Sequence, residues 1–226
     1  MFAAISRRYD LANHLLSFSF DTRWRRLVAR LSGLGRGDRA LDCATGTGDL
    51  AFALKRQVGE SGEVVGVDFC PEMLDIAKAK VRGANPGVYF RAADLLALPF
   101  GNGAFDAATI GFGMRNVADA SQALREMARV VRPGGRVLVL ETGVPQTPLI
   151  HWAHTLYCRY LMPPLGGLLS GRRSAYQYLL ETTTAFPCGA AFMQLMHETQ
   201  CFASVDARML LWGTAWIYRG LTRAPG

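Results

Sequence analysis

The chain has 226 residues, of which 50% are hydrophobic and 19% are charged, and its formal net charge is +7. This composition predicts one α/β-sized domain with a sizeable core and excludes a disordered, collagen-like or coiled-coil protein. The chain contains no apolar run of about 18 residues, so no transmembrane helix is expected, and residues 1–8 lack the apolar stretch of a signal peptide. The five cysteines are scattered and predict neither a disulfide framework nor a metal site, which is typical of a protein in the reducing cytosol.

Positive charge is concentrated near the amino terminus, where residues 7–30 hold six arginines and two aspartates. Within this stretch, apolar residues recur at helical spacing and predict an amphipathic helix over residues 22–32, capped by Asp21 or Thr22. The positive charge favours an anionic partner such as nucleic acid, a phosphate or the cytoplasmic face of a membrane, although a solvated helix face would carry the same residues.

Strands and helices alternate from residue 39 onwards, which is typical of βαβ units and a parallel sheet in an α/β fold. The expected strands cover residues 39–43, 63–67, 88–92, 105–110 and 136–141. The expected helices cover residues 49–58, 71–82 and 120–131, the last one ended by Pro133-Gly134-Gly135.

The alternation stops at residues 142–187, a stretch rich in Pro, Leu, Tyr and Trp. Because it is too long for an ordinary loop, we interpret it as a mostly helical insertion that serves as a lid. A helix over residues 188–199 and strands over 202–211 and 215–219 are expected to follow. The connector around Gly213 is too short for a parallel crossover, so the last two strands should form an antiparallel hairpin.

The strongest motif is a glycine-rich turn between the first strand of the alternation and its helix. It is the run Ala40-Leu41-Asp42-Cys43-Ala44-Thr45-Gly46-Thr47-Gly48-Asp49. The next strand ends at Asp68, 20 residues after Gly48. In a doubly wound sheet both points lie at the carboxyl ends of adjacent strands, where ligands bind, and a carboxylate at Asp68 can accept two hydrogen bonds from a ribose diol.

The turn suits either a dinucleotide or S-adenosylmethionine. With Ala51 in the third place, it nominally matches the G-x-G-x-x-G/A dinucleotide pattern. Asp49, however, would place a carboxylate where a pyrophosphate requires positive potential, and Asp42 adds a second negative charge. S-adenosylmethionine carries a sulfonium and an ammonium, so the carboxylates favour it. A purely structural glycine turn is the other interpretation.

A later segment agrees with this ligand. Ala93-Asp94-Leu95 follows the third strand, where a carboxylate could meet an adenine amino group. With this segment and the glycine-rich turn, residues 38–141 resemble the class I S-adenosylmethionine-dependent methyltransferases.

A closer resemblance covers nearly the whole chain. It rests on Phe2-x-x-Ile5-Ser6-x-x-Tyr9-Asp10-x-x-Asn13-x-x-Leu16-Ser17, on Trp24-Arg25-Arg26, on Gly111-Phe112-Gly113-Met114-Arg115-Asn116-Val117-x-Asp119, and on Tyr176-x-Tyr178-Leu179 through Phe186-Pro187. Shorter matches lie at residues 98–100, 124–127 and 132–136. These motifs are similar to those of the quinone C-methyltransferases of ubiquinone and menaquinone biosynthesis, the UbiE/COQ5 family.

The chain departs from that family's pattern at four places. Thr45 stands in place of a small residue, and Gly111 stands where a serine is common. Residues 182–184 replace an E-S-I run, and residues 212–218 replace the usual tail. These departures leave the cofactor expectation unchanged, whereas the insertion and the tail could shape the acceptor pocket.

The resemblance implies a class I methyltransferase fold, with a mostly parallel seven-stranded sheet and an antiparallel terminal hairpin. It implies that the whole chain is one domain. Its segments would be an amino-terminal helical cap (1–37), a cofactor-binding core (38–141), the helical insertion (142–187) and a final helix with the hairpin (188–226). The cofactor is expected to be S-adenosylmethionine. Its expected contacts are Asp42, Gly46, Thr47, Gly48, Asp68, Ala93, Asp94 and Gly111.

The implied reaction is C-methylation of a reduced polyprenyl quinone precursor, either a demethylmenaquinol or a ubiquinol precursor. Arg115 would stabilise the ring phenolate, Asn116 would orient an oxygen, and Tyr9 would handle a proton or contact the ring. A methyltransferase of the same fold acting on another phenolic or lipidic acceptor is the alternative.

The expected partners follow from this reaction. They are the polyprenyl quinol and a transient membrane surface, and the enzyme would be cytoplasmic or peripheral on the inner face of the cytoplasmic membrane. The sequence leaves open whether the protein forms a homodimer. Nucleic acid is not expected, because the chain lacks an N/D-P-P-Y/F motif and interleaved basic and aromatic residues.

Other polar residues receive structural interpretations. We interpret His151 and His154 as interfacial polar residues rather than as a metal site, and Cys43 as a small buried residue. Residues 192–196 should belong to the core. Glu141, at the end of a strand, either faces the substrate or caps the backbone.

Overall fold

The computed structural model describes residues 17, 19–81, 86–161 and 181–223. Tyr9 and the Tyr176-x-Tyr178-Leu179 motif lie outside the described residues, so the role expected for Tyr9 stays a prediction. The strands are β1 (Arg39–Cys43), β2 (Glu63–Asp68), β3 (Val88–Ala92), β4 (Phe105–Gly111), β5 (Val131–Thr142), β6 (Phe202–Leu210) and β7 (Ala215–Thr222).

The helices are α1 (Phe20–Leu31), α2 (Asp49–Val58), α3 (Pro71–Val81), α4 (Ala120–Val130), α5 (Pro148–Leu156) and α6 (Ala190–Glu198). A π-helical turn, Tyr157–Leu161, continues α5, and 3-10 turns cover Met114–Asn116 and Leu211–Gly213. Within the described residues, no helix is both long and apolar enough to cross a membrane.

The seven strands form one sheet in the order β3-β2-β1-β4-β5-β7-β6. The first five strands pair in parallel, while β7 pairs antiparallel with both β5 and β6. The predicted mostly parallel sheet and its terminal hairpin are therefore confirmed. The strand order reverses between β1 and β4, and a crevice at the carboxyl ends of the strands opens at such a reversal.

The core lies on both faces of the sheet, because successive residues of a strand point to opposite sides. In β1, Leu41 packs into a cluster with Phe105 and Phe192. Its neighbour Ala40 packs into a separate cluster with Leu54 on α2. The central strands β1 and β4 are accordingly buried along most of their length, on both faces, whereas the edge strand β3 is largely exposed.

The start of α1 differs from the prediction. The helix begins at Phe20 after Ser19, and no side chain caps it, so the expected cap at Asp21 or Thr22 is wrong. Asp21 lies buried in the first turn, where its carboxylate forms an ion pair with Arg25 and accepts a hydrogen bond from the hydroxyl of Ser17. These contacts use the oxygens that a cap would need.

The junction of α4 and β5 also differs. The helix ends at Val130 and the strand begins at once at Val131, so Pro133-Gly134-Gly135 lies inside the strand and does not end the helix. Phe105 pairs with Val131, whereas Ala107 pairs with Arg136, and the intervening residues of β5 are accommodated in a bulge. A proline is tolerated at a bulge because it removes no regular ladder bond.

Candidate active site

The glycine-rich turn after β1 depends on left-handed backbone angles. Gly46 has φ 55°, Gly48 has φ 87°, and even Ala44 lies at φ 46°. A Cβ at Gly48 would lie 2.7 Å from Cζ of Phe90, so this position requires glycine for space as well as for conformation. The turn thereby places its backbone at the crevice and starts α2 directly behind it.

Asp42 is the buried carboxylate of this turn, with only 1% of its surface exposed. Its Oδ2 accepts a hydrogen bond from Oγ1 of Thr45 (2.6 Å), and its Oδ1 accepts one from Oγ1 of Thr109 (2.9 Å). Burial raises the pKa of Asp42 to about 7, although the two hydroxyls oppose this shift. Thr45, a departure from the family pattern, thus serves the carboxylate, and Thr109 is a partner that the sequence did not indicate.

Asp68 lies at the end of β2 and holds two backbone turns. Its Oδ2 accepts from the N–H of Gly46 (2.8 Å), and its Oδ1 accepts from the N–H of Cys70 (2.9 Å). Burial raises the pKa of Asp68, while these backbone donors act in the opposite direction. The carboxylate therefore links the glycine-rich turn to the start of α3.

Two cavities open at this edge of the sheet. The first cavity, of about 300 Å³, lies between Trp24 of α1, the glycine-rich turn and His154 of α5. The second cavity, of about 430 Å³, lies between the carboxyl ends of β2, β3 and β4. Both volumes are within the range of small-ligand sites. The cavities share a wall formed by Ala44, Gly46, Gly111 and Phe112.

The structure brings together seven of the eight residues predicted to bind the cofactor. Asp42 and Thr47 line the first cavity, and Asp68, Ala93 and Asp94 line the second. Gly46 and Gly111 belong to the shared wall. Gly48 lines neither cavity and instead occupies the cap position of α2. Their contacts with a cofactor stay predictions.

Phe112 connects the shared wall to α1. Its backbone is left-handed at φ 59°. Its ring lies 6.3 Å from that of Trp24, between centroids, and the Arg25 guanidinium lies 5.5 Å from the ring centroid. The amino-terminal helix is therefore packed directly against the candidate active site.

Arg115 lies in the 3-10 turn after β4 and contributes to the first cavity. Its Nη1 forms an ion pair with Oε1 of Glu141 and donates to the carbonyl of Phe112 at 2.7 Å. Its backbone N–H donates to Oε2 of Glu141 at 3.2 Å. Among the described residues, the buried Nε of Arg115 has no hydrogen-bond partner.

Asn116 follows Arg115 in the chain but lines the other cavity. It belongs to the second cavity together with Asp68 and Asp94. Its Oδ1 is buried and accepts no hydrogen bond from the described part of the chain. Arg115 and Asn116, which were both predicted to act on the acceptor, therefore line different cavities.

Glu141 lines neither cavity and is only 1% exposed. Besides Arg115, its Oε1 accepts from the backbone N–H of Thr142 at 2.8 Å. The hydroxyl of Thr142 in turn lies 3.0 Å from that of Thr183. Of the two interpretations offered for Glu141, the structure supports backbone capping, with an added role as counterion of Arg115.

The helix after β5 supplies residues whose place in the site the sequence did not indicate. His154, Tyr157 and Cys158 line the first cavity, whereas His151 does not. The sulfur of Cys158 lies 3.5 Å from Nε2 of His154. Their i, i+3, i+4 spacing on one helix face was the available signal. Cys43 is fully buried, which confirms the structural interpretation for that residue.

The chain is similar to known proteins in both sequence and fold. The model of the family described as "ubiE/COQ5 methyltransferase family" matches residues 1–222. A Thermus thermophilus protein named demethylmenaquinone methyltransferase is 47% identical over 220 residues, covering 97% of this chain and 99% of the relative. A Bdellovibrio bacteriovorus protein named ubiquinone/menaquinone biosynthesis C-methyltransferase UbiE is 41% identical, covering 99% and 94%. The crystal structure of a SAM dependent methyltransferase from Aquifex aeolicus superposes with a TM-score of 0.62 at 16% identity, covering 88% of this chain and 89% of that one, which confirms the fold class.

Proposed function

Because the chain belongs to the ubiE/COQ5 methyltransferase family, we propose that it methylates a ring carbon of a reduced polyprenyl quinone precursor, using S-adenosylmethionine. The acceptor is a demethylmenaquinol or a ubiquinol precursor. The observation that carries the proposal is the pair of cavities that meet at Gly46 and Gly111. A cofactor that lies across the shared wall can present its methyl group to an acceptor in the first cavity, so that the reacting atoms come into contact.

The second cavity fits the nucleoside part of the cofactor. Asp68 offers carboxylate oxygens for the ribose diol, and Asp94, which is exposed, lies where the adenine would end. The buried Oδ1 of Asn116 is an acceptor without a partner among the described residues, and the adenine amino group is a donor. We therefore assign Asn116 to the cofactor rather than to the acceptor.

The carboxylate of Asp42 fits the amino-acid part of the cofactor at the other side of the shared wall. An ammonium placed beside this buried group favours its charged form, which burial disfavours. Bound in this way, S-adenosylmethionine supplies an electrophilic methyl group at the shared wall. Thr47 lines the same cavity and is assigned to this part of the cofactor, whereas Gly48 lines neither cavity and shapes the turn at the start of α2.

The first cavity fits an apolar ring with polar substituents. Phe20 and Trp24 supply aromatic walls, and Arg115 supplies a fixed positive charge. The Nε of Arg115, which has no hydrogen-bond partner among the described residues, is a donor for a ring oxygen on which negative charge grows. Glu141 neutralises part of the same guanidinium, so the charge that the acceptor meets is smaller than that of an unpaired arginine.

The surface beside the first cavity suits a membrane. Four large apolar residues of α5 and the turn after it recur on one side and are exposed: Leu149 (75%), Trp152 (63%), Leu156 (41%) and Tyr160 (62%). On α1, Arg23, Arg26 and Arg30 are exposed as well. Apolar anchors beside cationic residues fit an anionic bilayer, where the polyprenyl tail of the acceptor resides.

We also propose a role for each segment of the domain. Residues 38–141 hold the cofactor. Residues 1–37 and 142–187 form the acceptor side, and residues 188–226 close the sheet and contribute Leu211 and Thr214 to the first cavity.

The test is methyl transfer from isotope-labelled S-adenosylmethionine to short-chain demethylmenaquinol and to a benzoquinol precursor, with products identified by mass spectrometry. We expect label on a ring carbon of at least one of them. Label on oxygen, or on another phenol but on neither quinol, would favour the alternative acceptor class. Binding of NAD in preference to S-adenosylmethionine would refute a methyltransferase.

A further inference from the structure

We propose that His154 is the general base that removes the hydroxyl proton of the acceptor. The inference rests on the proposed function, because it names a residue for that reaction. His154 is the one histidine among the described residues that line the first cavity. A quinol carbon is a weak nucleophile until its ring hydroxyl loses a proton, so the reaction needs a proton acceptor near the ring.

The position of His154 satisfies the geometric requirement. Its ring is half-buried on α5, in the same cavity wall as Tyr157 and Cys158. The cavity's other walls contain Gly111, at the cofactor side, and Arg115, the expected phenolate stabiliser. An imidazole in this wall and the Arg115 guanidinium can both contact oxygen substituents of one acceptor ring. The imidazole would take the proton from a ring hydroxyl, and the guanidinium would stabilise the phenolate that results.

The surroundings of His154 keep the imidazole neutral. Burial lowers its pKa, and the nearby His151 lowers it further. Burial also raises the pKa of the Cys158 thiol to about 11, so the sulfur 3.5 Å from Nε2 is a neutral, weakly hydrogen-bonding neighbour. A phenol is the stronger donor and can displace it. The other titratable groups of the cavity wall are Asp21, Arg25, Asp42, Asp49, Arg115 and Tyr157.

The proton balance of the step is complete. The hydroxyl proton moves to a ring nitrogen of His154, and the electron pair it leaves delocalises onto the ring. A carbon–carbon bond then forms between the ring and the methyl group while the methyl–sulfur bond breaks, and its electron pair stays on sulfur. The ring carbon loses its own proton to solvent as the oxygen takes back the proton from His154, so one proton is released overall.

The experiment compares His154→Gln with His151→Gln at saturating cofactor and acceptor. His151 is exposed, lines neither cavity and hydrogen-bonds the Pro145 carbonyl through Nδ1 at 3.1 Å, so it is the matched control. We expect His154→Gln to lower kcat by about 10²–10⁴, the range of general-base catalysis, with the dissociation constant of the cofactor unchanged. His151→Gln should keep the plateau kcat.

The pH dependence separates a base from a residue that only supports the fold. Wild-type kcat should fall on the acidic side as His154 is protonated, and His151→Gln should move this limb to higher pH because a repelling charge is removed. In His154→Gln this limb should vanish, and kcat should rise only at the higher pH at which the acceptor hydroxyl ionises by itself.

A limb that persists in His154→Gln at the pH of the wild-type limb belongs to another group, Asp42 first of all, and overturns the inference; so does a near-normal kcat. If His154→Gln does not fold, a wild-type acid limb that His151→Gln leaves in place overturns it equally. An inactive wild-type protein that still binds S-adenosylmethionine overturns the proposed function, and this inference with it.

Discussion

Asp68 combines two tasks at the residue scale, because the same carboxylate that holds the Gly46 and Cys70 amides is proposed to bind the ribose. We predict that Asp68→Ala weakens S-adenosylmethionine binding by about 1.5–3 kcal/mol, the range for a hydrogen bond to a charged group. Calorimetric titration measures this loss. Asp75→Ala, an exposed carboxylate of α3, is the control. Unchanged affinity in Asp68→Ala would refute the ribose assignment.

The pair of Arg115 and Glu141 allows catalysis and stability to be separated. Arg115→Met leaves a buried carboxylate without its counterion, so we expect a loss of about 3–5 kcal/mol in the free energy of unfolding. The double variant Arg115→Met/Glu141→Gln removes that charge and should regain much of the stability, measured by urea denaturation.

Turnover of the double variant then reports on chemistry alone. If Arg115 stabilises the phenolate, kcat should stay about 10²–10³ below that of the Glu141→Gln single variant. Cofactor affinity should barely change, because a sulfonium gains nothing from a nearby cation. Equal turnover in the single and double variants would reduce Arg115 to a brace for the turn after β4.

At the scale of elements, α1 and α5 are proposed to dock on a bilayer together. Trp152→Ser with Leu149→Ser should abolish flotation with anionic liposomes, and Arg26→Gln with Arg30→Gln should weaken it by about 1 kcal/mol per arginine at low salt. Tyr89→Ser is the control, because this exposed aromatic lies on β3 outside the proposed surface. A wild-type protein that does not float at low salt would leave the arginines as a solvated face.

The elements also show what the sequence could predict. Periodicity located every strand of the sheet and the hairpin, because burial on both faces or on one face leaves a direct pattern in the residue types. It misplaced the start of β5, because a proline beside two glycines predicts a turn equally well when it forms a bulge. It misassigned the cap of α1, since the partners of Asp21 are side chains whose positions depend on tertiary packing.

Part of the candidate site could likewise be predicted from the sequence, and part could not. Asp42, Gly46 and Asp68 were predictable because strand ends and left-handed turns leave local signals. The contact of Arg115 with Glu141 joins residues 26 positions apart, and the placement of His154 in the first cavity depends on how α5 packs. The first contact has no local sequence pattern, and the helical spacing of His154, Tyr157 and Cys158 alone does not show that this face of α5 meets a cavity.

At the scale of the whole molecule, Asp42 should make stability depend on pH. Its folded pKa of about 7 lies above the unfolded value of 3.8, so the folded state holds the proton more tightly. The free energy of unfolding should therefore fall as pH rises from about 4 to about 7, by at most about 1.4 kcal/mol per unit for this group, and level off above.

The variant that tests this is Asp42→Asn, which cannot ionise. In the absence of cofactor it should melt at a higher temperature than wild type at pH 8, and the difference should disappear near pH 4. Its affinity for S-adenosylmethionine should nevertheless fall, because the cationic ligand loses its counterion. A variant with the same pH profile as wild type would contradict the buried-carboxylate account.

A wall shared by two cavities couples the binding of their ligands if either ligand moves that wall. Ala44 lies so close to Gly113 that a Cβ added to this glycine would be 2.7 Å from that of Ala44, so the turns after β1 and β4 cannot shift independently. If a ligand in one cavity moves this wall, it changes the affinity of the other cavity, and reciprocity requires the same factor in both directions. The demethylated cofactor and the methylated quinol would then change each other's dissociation constant by one common factor, and one short stretch of backbone would determine its size.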